Sequence, residues 1–191
     1  SNCTGARTLL RTLLGEHEVF LSFLPLSHSY EHTAGQFLPI AIGAEIYYAE
    51  GVDKLAANMA EVRPTMMTAV PRLYESMHGR ILHDLRQGNR HRQRLFMKAV
   101  ELGRRKYESS TRLGITDRVA DLVCEILVRR RVRKRFGGRL KAMVSGGAPL
   151  NTEIGMFFTA LGLRLLQGYG LTESAPVVSC NRPGDNRIDT V

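Results

Sequence analysis

The chain has 191 residues, of which 43% are hydrophobic and 24% are charged, and this composition excludes a disordered or fibrous protein and allows a sizeable buried core. No apolar run reaches the length of a membrane-spanning helix, and the first residues show no secretory signal, so we expect a cytoplasmic protein. The cysteines, Cys3, Cys124 and Cys180, are odd in number and widely spaced. They predict neither a disulfide framework nor a zinc site, and they fit a reducing compartment.

The net charge of +9 belongs mainly to one part of the chain. Residues 80–141 contain 19 lysines and arginines against 6 acidic residues, whereas the rest contains 8 basic and 12 acidic residues. Many of these cations crowd residues 129–135, near the end of a predicted helix, where positive charge complements the helix dipole. Four roles stay open for them: a solvated helix face, contact with an anionic membrane, contact with a CoA phosphate, or nucleic-acid binding, for which interleaved aromatic residues are missing.

Predicted strands and helices alternate through the first part of the chain. Helices are predicted over residues 6–14 and 53–62, and Asp53 is expected to cap the second. Strands rich in apolar or β-branched residues are predicted over residues 19–26, 45–49 and 65–70. A further helix after the first strand is predicted to face inward with Ala34, Phe37, Leu38, Ile40 and Ala41. This alternation favours parallel strands joined by right-handed crossovers.

The pattern changes at Pro71, a suitable first helical residue, because no convincing strand follows until residue 140. Three helices are predicted there, over residues 72–86, 91–107 and 117–135. The third should begin at a Thr116 cap and carry one apolar stripe made of Val119, Leu122, Val123, Ile126 and Leu127. Cys124 is assigned to that stripe as a small buried residue. The fold class is therefore α/β, with parallel-sheet layers flanked by helices and a basic helical insertion at about 71–137.

Residues 140–174 carry the strongest signal for a functional site. They are predicted to run through a strand (140–144), a glycine turn (145–149), a helix capped by Asn151 or Thr152, a strand (163–166) and a second glycine turn (168–170). In an open α/β sheet, ligands bind beyond the carboxyl ends of the strands, where both turns would lie. Backbone N–H groups and the Thr172 hydroxyl suit phosphate oxygens, and Glu173 beside phosphates implies Mg²⁺. The alternative is that these glycines only cap a helix and turn a loop.

Several motifs resemble one enzyme family. SGGAPLNTE at 145–153 followed by QGYGLTES at 167–174 is similar to the adenine- and phosphate-binding motifs of adenylate-forming enzymes, which include acyl-CoA synthetases, firefly luciferase and peptide-synthetase adenylation domains. FLSFLPLSHSYEHTAG at 20–35, VPRLYESMHGRI at 70–81 and NRPGDNR at 181–187 resemble segments of the long-chain fatty acyl-CoA synthetase branch. The matches occur in family order and span nearly the whole chain. The last strand, predicted over 176–180, lies between two of them.

The resemblance implies roles for particular residues. His28, Thr172 and Glu173 would be catalytic: His28 near the acyl carboxylate, Thr172 at the α-phosphate and Glu173 as the ligand of Mg²⁺. Tyr169 would stack on adenine. The nucleotide-binding set implied in this way is Gly146, Gly147, Ala148, Gln167, Gly168, Tyr169, Gly170 and Thr172. For His28, the alternative is a histidine that only caps a helix.

The implied reaction activates a fatty acid with Mg-ATP to an acyl-adenylate and then transfers the acyl group to CoA, so the expected ligands are ATP or AMP, Mg²⁺, fatty acid and CoA. The family's phosphate loop, ribose-binding aspartate, hinge and catalytic lysine have no counterpart in this sequence. We therefore expect residues 1–191 to be a fragment of an N-terminal adenylation domain that forms no adenylate alone. Two other functions stay open: adenylation for an acceptor other than CoA, and an interaction module whose basic helices bind anionic membrane or nucleic acid.

Overall fold

Six strands form a mixed sheet in the computed structural model of the chain, which describes residues 2–108 and 114–191. The strands are β1 Val19–Ser22, β2 Glu45–Tyr48, β3 Met66–Ala69, β4 Ala142–Ser145, β5 Leu165–Gly170 and β6 Val177–Cys180. Their order across the sheet is β2-β1-β3-β4-β5-β6. The first five pair in parallel, and β6 runs antiparallel to β5. The predicted α/β fold class is confirmed.

Helices cover the sheet, and two of them contain a π-helical turn. These turns, His32–Phe37 and Glu125–Arg129, each join two α-helical pieces. No helix of the described residues is both long and apolar enough to cross a membrane. The α-helices are α1 Asn2–Leu10, α2 Ser29–Glu31, α3 Leu38–Ile42, α4 Leu55–Val62, α5 Pro71–Arg86, α6 Arg90–Glu108, α7 Ile115–Cys124, α8 Arg130–Arg135 and α9 Thr152–Ala160.

The second glycine turn predicted from the sequence is wrong, because Gly168-Tyr169-Gly170 continues strand β5. The antiparallel partner β6 pairs with this stretch across a bulge between Tyr169 and Gly170. A Cβ on Gly170 would lie only 1.8 Å from the Pro176 carbonyl oxygen. This is a steric clash, so the position needs glycine. The glycines therefore permit close strand pairing.

The helical face predicted after the first strand is also wrong in part. Leu38 is buried, but Phe37, Ile40 and Ala41 face outward. The π-helical turn at His32–Phe37 adds residues to one turn and so shifts the periodicity on which the prediction depended. Glu31 and Gly35 lie on the buried side instead.

The apolar stripe of the third predicted helix faces solvent. Residues of this stripe are 40–61% exposed: Val119, Leu122, Val123, Ile126 and Leu127. The opposite face packs inward, and it includes Cys124, which is buried as predicted, together with Asp121, Val128 and Val132. Two predicted helix caps also fail, because α7 begins after Gly114 and not Thr116, and α4 begins after Lys54 and not Asp53.

A buried arginine explains why that face turns inward. Arg129 is 4% exposed, so it does not take part in any of the four surface roles that the sequence left open for the basic run. Its guanidinium donates at 2.7 Å to Asp121 and at 2.9 Å to the carbonyl oxygens of Ala99 and Ala160. These contacts join α6, α7 and the C-terminal end of α9, where buried carbonyl oxygens need donors.

Two apolar cores lie on the two faces of the sheet. The larger contains α4 to α9 and includes Met67, Met143 and Phe158. The smaller contains α1, α3 and residues such as Phe20 and Met66. Met66 and Met67 are adjacent on β3 and pack in different cores, because successive side chains of a strand point to opposite faces of the sheet.

Candidate active site

The carboxyl ends of the parallel strands meet at one edge of the sheet, and a cavity of about 610 Å³ opens there. Its walls come from three stretches that follow strands: His28 to Tyr30 after β1, Gly146 and Gly147 after β4, and Leu171 to Glu173 after β5. Strand β6 and helix α1 close the remaining sides. The topology therefore gathers residues that are distant in sequence around one volume.

The glycine pair after β4 has two separate physical causes. Gly147 has φ = 84°, in the left-handed region that favours glycine. A Cβ on Gly146 would lie 2.9 Å from Cζ of Tyr30, so this position needs glycine because a tyrosine ring fills the adjacent space. The turn thus passes directly over the Tyr30 ring.

Tyr30 fixes the wall of the cavity. Its hydroxyl donates to the Val144 carbonyl oxygen at 2.9 Å, which links the loop after β1 to strand β4. Burial raises the pKa of Tyr30 well above its ordinary value, so the hydroxyl stays protonated and keeps donating. This bond and the Gly146 contact hold two walls of the site together.

His28 both caps a helix and lines the cavity. As the N-cap residue of α2, it accepts a hydrogen bond at Nδ1 from the Tyr30 backbone N–H at 3.2 Å. A neutral imidazole that accepts at Nδ1 carries its proton on Nε2, which is then a donor. The cap therefore selects a tautomer, and the two interpretations of His28 from the sequence are compatible.

Thr172 and Ser29 connect the two sides of the cavity. The Thr172 Oγ1 and Ser29 Oγ atoms lie 3.1 Å apart, although 143 positions separate the residues. Thr172 begins a short 3₁₀ turn, Thr172–Ser174, in which the Ser174 hydroxyl accepts from the Leu171 N–H at 3.1 Å. Ala175 ends this turn at φ = 64°, which is a strained conformation for an alanine.

Glu173 lines the cavity as an exposed carboxylate, and no basic side chain in the described part of the chain forms an ion pair with it. The same residues contain no cluster of three His, Cys, Asp or Glu side chains that could hold a metal alone. One carboxylate fits Mg²⁺ that arrives with phosphates, because Mg²⁺ is commonly bound by one or two carboxylates plus substrate phosphates and water. Arg182 adds a cation to the lining.

Tyr169 presents an accessible ring at the cavity, with 53% of the residue exposed. Its position on β5 between Gly168 and Gly170 leaves the ring without large neighbours in sequence. Aromatic faces of this kind stack on planar bases.

Most of the residues proposed from the sequence line this cavity, and two do not. The lining includes His28, Gly146, Gly147, Gly168, Tyr169, Gly170, Thr172 and Glu173. Ala148 is exposed outside it. Gln167 is buried behind it, where its amide accepts from the Leu150 N–H at 3.3 Å and donates to the Ile188 carbonyl oxygen.

A buried carboxylate beneath the site was missed. Glu31 is fully buried and accepts hydrogen bonds from the hydroxyls of Ser22 on β1 and Thr68 on β3. Burial raises the pKa of Glu31 above its ordinary value, although the two hydroxyl donors oppose that rise. The available signal was a pair of hydroxyl residues inside otherwise apolar strands, since buried polar groups need partners.

Comparisons with known proteins show the family of the chain. A family described as AMP-binding enzyme matches residues 1–191. Long chain acyl-CoA synthetase 6, peroxisomal, of Arabidopsis thaliana is 33% identical over 171 residues, which are 88% of this chain and 23% of that protein. Long-chain-fatty-acid–CoA ligase FadD15 of Mycobacterium bovis is 31% identical over 192 residues, which are 98% of this chain and 31% of that protein.

A solved structure is similar over most of the chain. The adenylation domain of a carboxylate reductase from Mycobacterium chelonae is 25% identical, with a TM-score of 0.54, and the match covers 85% of this chain and 22% of that one. The present chain thus spans between 23% and 31% of the length of the two curated relatives.

Proposed function

The chain belongs to the family of AMP-binding enzymes, and from this premise we propose that it supplies part of the adenylation site of an ATP-dependent long-chain fatty acid–CoA ligase. The ligase would convert a fatty acid and Mg-ATP to acyl-AMP and pyrophosphate, and would then pass the acyl group to the CoA thiol with release of AMP. The similarity to long-chain acyl-CoA synthetases supports this choice of substrate and acceptor over other members of the family.

The observation that carries the proposal is the convergence of His28, Thr172 and Glu173 on one cavity at the carboxyl edge of the sheet. The 3.1 Å contact between the Ser29 and Thr172 hydroxyls brings the two sides within reach of one small ligand. Reacting groups held in this way gain rate from positioning, because the entropy of bringing them together is already lost on binding.

In the adenylation step, a carboxylate oxygen of the fatty acid attacks the α-phosphorus of ATP. A new oxygen–phosphorus bond forms, and the bond from the α-phosphorus to the bridging oxygen breaks and releases pyrophosphate. The Thr172 hydroxyl donates to an α-phosphate oxygen and so stabilises the charge in the transition state. The Nε2–H of His28 donates to the fatty-acid carboxylate and orients it.

Charge neutralisation needs cations beside the phosphates. Glu173 would hold the Mg²⁺ that accompanies ATP, and this ion would neutralise part of the phosphate charge. The Arg182 guanidinium at the same cavity suits a phosphate oxygen. Tyr169 stacks on the adenine, and the glycine turn at Gly146 and Gly147 lets the backbone approach the ligand closely. Gln167 supports the loop after β4 by accepting a hydrogen bond from the Leu150 N–H.

We expect Glu173→Gln to weaken Mg-ATP binding by about tenfold to a hundredfold, the range for losing one interaction with a charged group. Thr172→Ala should slow ATP–pyrophosphate exchange in the parent protein with palmitate as substrate, and Thr172→Ser should restore part of the rate. Equilibrium dialysis of ATP against the wild-type and Glu173→Gln chains, with and without Mg²⁺, measures the loss of Mg-ATP binding.

Glu61→Gln is the matched control, because Glu61 is an exposed carboxylate on α4 that lies outside the cavity. Wild-type Mg-ATP binding in Glu173→Gln together with wild-type exchange in Thr172→Ala would overturn the assignment of the site.

The same proposal covers the domain organisation of the chain and the location of the protein in the cell. Residues 1–191 would form part of the adenylation domain, with residues 71–137 as a basic helical segment within it. A cytoplasmic protein with peripheral contact to an anionic membrane fits the exposed arginines of this segment, such as Arg94 and Arg130. Sedimentation with vesicles that contain phosphatidylserine, at low and high salt, tests the contact.

A further inference from the structure

A second cavity, of about 800 Å³, lies among the helices of the larger core. Helices α4, α5, α6 and α8 supply its walls, and it shares no lining residue with the cavity at the edge of the sheet. Its interior is apolar, and its volume falls within the range that holds small-molecule ligands, roughly 300–1,000 Å³. Buried lining residues include Leu55, Met59, Leu73, Phe96, Val132 and Phe136.

The rim of this cavity is strongly cationic. Arg80 comes from α5, Arg92 from α6, and Arg131 and Arg135 from α8, against a single lining carboxylate, Asp84. Arg135 and Asp84 form an exposed ion pair at 3.4 Å. Arg80, Arg92 and Arg131 have no carboxylate partner within the described residues. An anion at the rim would therefore meet three exposed guanidinium groups.

We propose that this arginine-rimmed cavity binds a single-chain amphiphile with an anionic head, such as a long-chain carboxylate or an alkyl phosphate. The apolar interior takes the alkyl chain, because each CH₂ group removed from water stabilises the complex. The guanidinium forks take the head, since their geometry matches both carboxylate and phosphate oxygens. A neutral or cationic head would lose this second interaction.

The site is separate from the proposed adenylation site and goes beyond it. Helices α5, α6 and α8 belong to the basic segment, whose excess charge the adenylation chemistry does not use. The arginines at the rim would use part of that charge to bind the anionic head of the amphiphile. Binding there requires neither ATP nor Mg²⁺.

Calorimetry with dodecanoate, dodecyl phosphate, dodecanol and dodecyltrimethylammonium tests the head group at constant chain length. We expect the two anions to bind at least about tenfold more tightly than the alcohol, and the cation not to bind. Decanoate should bind about fifteenfold more weakly than dodecanoate, because each CH₂ group contributes about fourfold. Preference for dodecanoate or for dodecyl phosphate identifies the natural head group.

Matched arginine variants test the rim. Arg92→Gln and Arg131→Gln should each weaken dodecanoate binding by about tenfold, whereas Arg94→Gln and Arg130→Gln should not, because these exposed arginines lie on α6 and α8 outside the cavity. Equal binding by the two pairs, or equal binding of dodecanol and dodecanoate, would overturn the proposal.

Photocrosslinking locates the bound chain and separates the two sites. A diazirine-labelled dodecanoate should mark peptides from α5 and α8, and the Ala56→Trp variant, which adds bulk at the lining, should reduce that labelling. Labelling confined to residues 28–34 and 144–147 would place the amphiphile in the first cavity and contradict this inference.

The two sites should also be independent of each other. Mg-ATP binding should be unchanged in Arg92→Gln and Arg131→Gln, and dodecanoate labelling of α5 and α8 should be unchanged in Glu173→Gln.

Discussion

The edge of the sheet and the helical segment 71–137 hold buried carboxylates in opposite electrostatic surroundings. Beneath the site, Glu31 accepts hydrogen bonds from two neutral hydroxyls, and burial raises its pKa. In the helical segment, burial also acts to raise the pKa of Asp121, but hydrogen bonds from Lys106 and Arg129 outweigh it and lower the pKa. One carboxylate has no cationic donor, and the other has two.

This difference separates two ways of using polar residues. The helical segment pairs opposite charges to join helices, as in the contacts of Arg129 and in the 2.9 Å bonds from Arg104 to Glu153. The site instead places hydroxyls, glycines and single charges around a volume and leaves several of them available to a ligand. The ion pairs of the first region therefore join helices, whereas the polar groups around the cavity at the edge of the sheet stay accessible to a ligand.

The largest effect should follow from removing the buried cation. We expect Arg129→Met to lower the free energy of unfolding by about 3–5 kcal/mol, because Asp121 and two carbonyl oxygens would lose their buried donor. Arg130→Gln, at an exposed position next to it, should change stability by less than about 0.5 kcal/mol. Urea unfolding of both variants decides whether Arg129 has a structural role that its neighbour lacks.

A smaller effect is expected at the site. Gly146→Ala places a Cβ 2.9 Å from the Tyr30 ring, and the resulting overpacking should cost about 1–3 kcal/mol. It should also weaken Mg-ATP binding, because the ring and the turn form adjacent walls. The double variant with Tyr30→Leu should lose less than the sum of the two single variants. Strict additivity in unfolding experiments would show that the ring and the glycine do not interact.

The two carboxylates should give opposite pH dependences. For Glu31, whose pKa is raised, the stabilising contribution is fully present below the ordinary pKa of 4.5 and is lost as pH rises through the raised value. For Asp121, whose pKa is lowered, the contribution is present above the ordinary value of 3.8 and is lost as pH falls through the lowered value.

Glu31→Gln should therefore gain stability relative to wild type between pH 5 and pH 8, since the glutamine never becomes charged. Urea unfolding at both pH values measures the change. A constant difference between the two proteins would mean that Glu31 does not titrate in this window.

The smallest effect is expected at the end of the 3₁₀ turn. Ala175→Gly should raise the free energy of unfolding by up to about 1 kcal/mol, because glycine adopts φ = 64° without steric cost. Thermal unfolding should show an increase in Tm of a few degrees at most. A decrease would indicate that the strain at Ala175 is offset by contacts of its methyl group.

Much of the fold could be predicted because the relevant signals are local. Short apolar runs bounded by glycine or proline correctly marked β1 to β4 and β6, and Asn151 caps α9 as expected. The glycine pair after β4 and the Thr172–Glu173 pair also lie at the edge where parallel strands place ligands. These features depend on neighbours within a few positions.

The failures come from interactions between distant segments. Arg129 looked like part of a surface charge run, but its acceptors on α6 and α9 are about thirty positions away in sequence. The apolar stripe of α7 has good helical spacing, yet the Arg129–Asp121 pair turns the opposite face inward. Likewise, Gly168 and Gly170 suggest a turn until β6 pairs with them. Local patterns contain none of this information.

The methionines offer a spectroscopic consequence of the two-cavity arrangement. Of the 7 methionines, Met66 and Met67 line the cavity at the edge of the sheet, while Met59 and Met77 line the arginine-rimmed cavity. Methyl ¹³C labelling of methionine would therefore give each cavity two NMR reporters of its own. Adding nucleotide or alkyl anion to one labelled sample would show directly which cavity each of them enters.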